Sequence, residues 1–187
     1  MRGRPVRVGV PTPRTGAVMA QVRVRAVGID VGPDTPVLLL EEIGGAGRVV
    51  PVSVGGPEAT ALVVALERVH GVRPDTHRLI GELLTTFGRQ LVQVRVHTLA
   101  EGIFHAELML DDGTTVDSRT SDAVVLALWA GAGIQVDEDV LVAAGVAAET
   151  VTIEGAGRAG ADAEIEEELR RFLDTATPDD FGPDPQD

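Results

Sequence analysis

The sequence predicts an α+β fold: a single domain in which one mixed, mostly antiparallel sheet carries a helix pair and a third helix packed on it. Three observations predict it. Apolar residues alternate with period two over residues 22–31, 48–54 and 92–108. Two stretches, residues 57–70 and 76–88, instead carry apolar stripes at helical spacing. Gly- and Pro-rich turns separate the early strands at residues 32–35 and 44–47. The length of 187 residues fits one domain with tails.

The elements follow in order. Residues 1–18 interleave Pro and Gly with Arg and Val and read as a flexible basic leader, or as an over-long start. The domain is expected over residues 19–155. Residues 22–31 alternate well and then slip phase at Ala26 and Val27, which predicts a bulge. The apolar run 36–42 reads as a buried strand. Residues 48–54 put Val50, Val52 and Val54 on one face; Pro51 cannot donate to a ladder, so this strand belongs at an edge or starts late. The first helix opens with Pro57 at a favoured first-turn position. The second places Leu79, Ile80, Leu83, Leu84 and Phe87 on one stripe and stops at Gly88. The pair is expected to pack on the sheet through Leu62, Leu66, Leu83 and Leu84.

In the hairpin over 90–110, Val92, Val94 and Val96 share one face, as do Phe104, Ala106 and Leu108. A three-residue loop at 99–101 makes the two faces coincide and sets Arg95 opposite His105 and Gln93 opposite Glu107. Residues 113–119 read as a short strand, 121–132 as the third helix, and 134–145 as a short strand and a short helix. Residues 151–163 look like a linker. The last part, 156–187, reads as linker, acidic amphipathic helix and disordered end, with Ile165, Leu169, Phe172 and Leu173 on one stripe of that helix.

Composition excludes several classes. There are no cysteines, hence no disulfides and no thiolate metal sites. No run of about 20 apolar residues marks a membrane span, and the leader lacks the apolar stretch of a signal peptide. A cytoplasmic protein with no membrane partner is expected. All 16 basic residues are Arg, and Lys, Asn and Tyr are missing. Those three have AT-rich codons, so the composition points to a GC-rich bacterial genome, and Arg in place of Lys carries no functional weight. The net charge is −13, unevenly spread. Residues 1–25 hold six Arg and no acid, residues 26–161 eight Arg and 19 acids, and residues 162–187 two Arg and ten acids. Nucleic-acid binders usually show a basic footprint. Outside its leader this chain lacks one, which counts against a tight grip on nucleic acid.

Four motifs carry candidate chemistry. In "PVSVGGPEATAL", Gly55 and Gly56 let a backbone approach closely, and free N–H groups at the helix start can hold a phosphate. The same pattern serves as a tight strand-to-helix turn with Glu58 favouring the dipole. In "RPDTH", Arg73 and His77 can touch an anion, or His77 can act as a base. The plainer use of the motif is a cap by Asp75 or Thr76. His105 and Glu107, two apart on a strand, have spacing that suits a metal; an exposed polar ladder is the ordinary reading. In "TVDSRTSDAVVLAL", Thr120 or Ser121 can cap the helix, and Asp122 suits its positive end. Asp117 and Asp122 can converge on a divalent cation. Alternatively, an Asp–Arg pair with Arg119 pins the corner.

In this order and spacing, "PVSVGGPEATAL", "RPDTHRL", "GIFHAELML" and "VDSRTSDAVVLAL" resemble the bifunctional nuclease domain family, over roughly residues 19–145. The resemblance implies a mixed α+β fold with nuclease activity on DNA and RNA. It implies a site built from Glu58, His77, Glu107, Asp117, Arg119, Ser121 and Asp122. Four positions depart from the family's pattern. Ser53 stands where Trp is usual, Arg78 where Asp is usual, Thr120 where Pro is usual, and Trp129 where Arg is usual.

Two readings follow. In the first, the chain is a nuclease. Asp117, Asp122 and Glu107 hold Mg²⁺ or Mn²⁺, and the metal activates water. Arg119 stabilises the charged transition state, His77 is the base or leaving-group acid, and Gly55, Gly56, Arg73 and Ser121 bind the DNA or RNA. In the second, a non-catalytic regulatory or protein-interaction domain keeps the family fold. A homo-oligomer is expected, with a protein partner for the acidic C-terminal helix or a role for that helix as an electrostatic shield. Glu58, His77, Asp117, Arg119 and Asp122 come from separate segments and are expected on one side of the sheet, close enough for a shared centre.

Overall fold

The computed structural model describes residues 18–30, 35–151 and 153–158. The expected basic leader up to residue 17, most of the turn expected at 32–35 and the acidic amphipathic helix expected near the C-terminus lie outside the described residues. The chain runs β1 (Met19–Asp30), β2 (Thr35–Glu42), β3 (Arg48–Ser53), α1 (Gly56–Leu66), α2 (Thr76–Thr86), β4 (Leu91–Ala100), β5 (Ile103–Leu110), β6 (Thr115–Arg119), α3 (Thr120–Ala130), β7 (Gly133–Asp137), α4 (Glu138–Ala144), β8 (Val146–Ala147) and β9 (Ile153–Arg158). The strands form one sheet in the order β6-β5-β4-β7-β1-β2-β3-β8, with β9 also pairing β1. Among the described residues only β4 and β7 pair in parallel, and α3 lies on the connection that returns the chain to make that pairing. The fold is α+β, one domain with a mixed, mostly antiparallel sheet.

Alternation decides the core. On β2, Leu38 and Leu40 join the large cluster with Val50, Val52, Val94, Val96, Leu62, Val124 and Leu141. Val37 and Leu39, offset by one residue, join a smaller cluster with Ala26 and Val49 against Val151 and Ile153. β2 is therefore buried on both sides, and its four consecutive apolar residues need no polar face. The slip in β1 is a register shift between Val24 and Ala26, close to where its phase breaks. Pro51 sits in β3 beyond the short β8 ladder, which covers only Arg48 and Val49, so its missing N–H costs no sheet bond on that side.

Three local expectations fail. Leu62, Leu66 and Leu84 pack on the core, but Leu83 is 46% exposed. The stripe of α2 faces outward at Leu79, Ile80, Leu83 and Phe87. The cause is α3. Its first turns are buried almost all round, so α3 takes the place on β4 and β5, and α2 rests against α3.

The hairpin register also differs. β4 and β5 are joined by a two-residue turn at Glu101 and Gly102, with φ of 52° and 79°, instead of a three-residue loop at 99–101. Paired positive φ values suit the twist of a hairpin, and Gly102 is the sequence signal for them. One bulge lies at the far end, between Leu91 and Gln93, and a second, between Val96 and Thr98, shifts the ladder further. Arg95 therefore faces Glu107, not His105, and Gln93 faces Met109, not Glu107. The bulge beside Val92 leaves it 48% exposed. Finally, Ile153–Arg158, read as linker, is strand β9 on β1.

The corrected register builds an ion network. Arg95, buried on β4, binds Asp137 with Nε to Oδ1 at 2.6 Å and Nη2 to Oδ2 at 2.7 Å. Its Nη1 lies 3.5 Å from Glu107 Oε1. All three side chains are buried, and the two carboxylates raise the basicity of Arg95 against the opposing effect of burial.

Candidate functional site

Three helix starts converge at one corner. α1 begins at Gly55, whose extended backbone serves as N-cap, with Pro57 in the first turn. Glu58 therefore sits in that first turn and folds its carboxylate back toward the helix start, accepting its own N–H. A side chain at position 55 would meet that carboxylate, so Gly55 leaves the space into which Glu58 folds. α2 begins at Asp75, whose carboxylate accepts the Arg78 N–H at 2.9 Å, and this cap places His77 on the first turn. α3 begins directly at the end of β6, with Arg119 as N-cap residue and no side-chain cap. The expected caps Thr120 and Ser121 do other things. Thr120 Oγ1 donates to the Phe104 carbonyl at 3.2 Å, which ties the corner to β5, and Ser121 is buried.

A continuous chain of bonds links these starts. His77 Nε2 lies 3.1 Å from Asp122 Oδ1. Arg119 donates from Nε to Asp122 Oδ2 at 2.6 Å and from Nη2 to Asp122 Oδ1 at 3.1 Å. Its Nη1 donates to Glu58 Oε1 at 2.7 Å. The Arg119 side chain is 66% exposed. A guanidinium has five N–H donors, and the carboxylates use three, so two remain for an anion from solvent.

Burial pushes the Asp122 carboxyl up, but the bonds from Arg119 and His77 overcome that and hold it below its ordinary value. Glu58 is also held low, first by its own backbone N–H and then by Arg119. Both groups therefore contribute stability that is present above their unfolded values, near pH 4, and lost as pH falls through the lower folded values. Unfolding free energy is expected to fall as pH drops below about 4. Asp122→Asn should flatten that slope in urea titrations at stepped pH. An unchanged slope would mean that Asp122 titrates alike in both states.

Glu58, His77, Asp117, Arg119 and Asp122 line one cavity of about 570 Å³. Gly55, Ser121, Glu58 and Arg119 line a second, of about 470 Å³, on the other side of the Glu58–Arg119 bridge. Asp117 is exposed on the edge strand β6 and, among the described residues, bonds to none of the four. Arg73 is exposed in the turn before α2 and lines neither cavity. Glu107 stands opposite Asp117 in the ladder, but its carboxylate is turned to Arg95. The sequence reading also missed that Arg78 and Trp129, taken singly as departures from a pattern, lie together. The Arg78 guanidinium carbon is 5.5 Å from the Trp129 ring centroid.

Residues 37–149 match the family model described as bifunctional nuclease domain. Two proteins of Mycobacterium tuberculosis, uncharacterized proteins MT1877 and Rv1829, are each 39% identical over 163 residues, 87% of this chain and 98% of the relative. Bifunctional nuclease 2 of Oryza sativa subsp. japonica is 26% identical over 117 residues, 59% of this chain and 36% of that protein. Among the described residues no helix is long and apolar enough to cross a membrane.

Proposed function

The chain belongs to the bifunctional nuclease domain family, and from that premise we propose that it cleaves phosphodiester bonds of nucleic acid, RNA before DNA, at the Glu58–Arg119–Asp122–His77 corner. The observation that supports this most is the bond of His77 Nε2 to Asp122 at 3.1 Å. With Nε2–H donated to the carboxylate, Nδ1 carries the lone pair and acts as the base. In RNA, His77 takes the proton of a 2′-hydroxyl. That oxygen forms the new bond to phosphorus, the bond to the 5′-oxygen breaks, and the 5′-oxygen leaves with a proton from water. The two unused Arg119 donors stabilise the phosphoryl oxygens as charge builds on them. DNA has no 2′-hydroxyl, so water would have to attack, and a lone histidine base activates water less effectively than a hydroxyl held beside the phosphorus.

The donor set does not fit a resident Mg²⁺ or Mn²⁺. Arg119 bonds to three of the four Glu58 and Asp122 carboxylate oxygens and supplies the positive charge itself. Glu107 is bound to Arg95, and no group of three or more acidic or histidine side chains among the described residues is arranged to hold a metal. No step here runs through a metal.

The test uses the purified full chain on single-stranded RNA, single-stranded DNA and duplex DNA, each with Mg²⁺, Mn²⁺ or EDTA. RNA cleavage that persists in EDTA and leaves 2′,3′-cyclic phosphate ends is expected. No cleavage under any condition would sink the reading. The second reading, a non-catalytic interaction domain that keeps the family fold, would then stand. It is favoured by the outward stripe of α2, with Leu79, Leu83 and Phe87 exposed, because apolar surface of this kind marks contact with another chain.

A further inference from the structure

We propose that the cavity between α2 and the C-terminal half of α3 binds one nucleotide unit, its phosphate on Arg78 and Arg89 and its base against the rings of Trp129 and His70. This goes beyond the cleavage reading and does not depend on it. The cavity measures about 790 Å³, within the size range of small-molecule sites, and is lined by His70, Arg78, Glu82, Leu84, Arg89 and Trp129 among others.

Its chemistry differs from that of the rest of the chain. Residues 26–161 hold eight Arg against 19 acids, yet two of those Arg line this cavity and a third lies over the ring of its Trp129. Arg68 and Arg78 lie 5.9 and 5.5 Å from the Trp129 ring centroid, and Arg89 is on the wall. Among the described residues no carboxylate forms a salt bridge with Arg68 or Arg78. Arg89 pairs with Asp112 at 2.9 Å while staying 46% exposed, and Glu82 is the one carboxylate on the wall. The Arg78 guanidinium, with no carboxylate partner, favours a phosphate over water because two N–H groups meet two oxygens at once, and the exposed Arg89 stands on the same wall.

The rings supply the other half. His70 meets Trp129 edge-on at 5.3 Å between centroids, and Leu84, Leu91 and Leu126 close the wall beside them. Aromatic and guanidinium planes are the surfaces on which bases stack without regard to sequence. Trp129 Nε1 is buried with no hydrogen-bond partner among the described residues. Phosphate alone would need the arginines but not the rings. An apolar ligand would need the rings but not the arginines. A nucleotide uses both.

Position adds a consequence. Arg78 follows His77 in α2, and Trp129 lies two turns beyond Asp122 in α3, seven residues or roughly 10.5 Å along the axis. A strand held at the His77–Asp122 corner would therefore run into this cavity.

Trp129 is the only Trp and the chain has no Tyr, so excitation near 295 nm reads this ring alone. The experiment titrates the full chain with thymidine monophosphate, with an eight-nucleotide oligothymidylate and with inorganic phosphate. Saturable quenching by the nucleotide or the strand is expected. Whichever binds tighter identifies the source as a free nucleotide or a nucleic-acid strand. Arg78→Ala and Arg89→Ala should each weaken the quenching ligand about tenfold, in line with loss of a charge-assisted bond. Glu82→Gln should tighten it, a gain that damaged folding cannot mimic. Thymidine monophosphate has no diester to cleave, so failure of cleavage leaves this result unaffected. The proposal is overturned by three outcomes: no saturable quenching, quenching unchanged in both arginine variants, or equal quenching by inorganic phosphate.

Discussion

Replacing Arg95 by methionine is expected to lower the unfolding free energy by about 3–5 kcal/mol, the cost of leaving buried charge without its partner. Arg95 is the single cation between Asp137 and Glu107, and all three side chains are buried. Methionine matches much of the arginine stem, so packing loss is small and the effect isolates the charge. The two carboxylates left behind are largely withdrawn from water and repel each other. In urea this appears as a lower midpoint with an unchanged slope. Replacing Arg95, Asp137 and Glu107 together with apolar residues of similar size should recover most of the loss, because no unpaired charge then remains. A single variant within about 0.5 kcal/mol of the parent would show that the carboxylates rearrange into solvent.

His77→Ala is expected to reduce RNA cleavage by roughly 10²- to 10⁴-fold, the usual contribution of a positioned general base. His77 holds neither the sheet nor a helix cap; its bond is to Asp122. The loss should therefore appear in turnover, with the urea midpoint almost unmoved and nucleotide quenching of Trp129 intact. Asp122→Asn tests the other end of the pair. Asn can turn its amide toward His77 and offer a donor where an acceptor stood, which reverses the ring's protonation and removes the base. Asp122 acts through His77 and Arg119 as a positioning residue. Its loss should also shift the pH profile, whereas a purely structural role would lower activity equally at every pH. Full activity in His77→Ala would transfer the base to another group and break the proposed chemistry.

Local pattern carried much of the fold. Pro57, Asp75 and Gly88 mark helix ends by backbone chemistry that depends only on near neighbours, and each stands at or beside such an end. Period-two runs marked the strands for the same reason, and the slip at Ala26 showed itself as a broken period. The meeting of four of the five candidate residues at one corner was also expected, because strand ends and helix starts are where charged side chains meet spare backbone donors. Glu58, His77, Arg119 and Asp122 do meet.

What the sequence by itself determined is therefore what short-range forces control: the type of most elements though not of β9, the helix starts, the burial of β2 and the acidic charge balance. Only tertiary structure decided what depends on distant neighbours. An apolar stripe on α2 requires some cover, but nothing in the stripe says that α3 would occupy the sheet first and leave Leu83 outside. Glu107 had suitable spacing for a metal, yet the bulge between Val96 and Thr98 and the turn at Gly102 placed Arg95 opposite it and turned it into half of an ion pair. Arg78 and Trp129, 51 positions apart in the chain, share a cavity because α2 crosses α3. The physical reason is common to all three. Propensity and periodicity act over a few residues, whereas burial and charge pairing are settled by whichever groups the whole packing brings within contact distance.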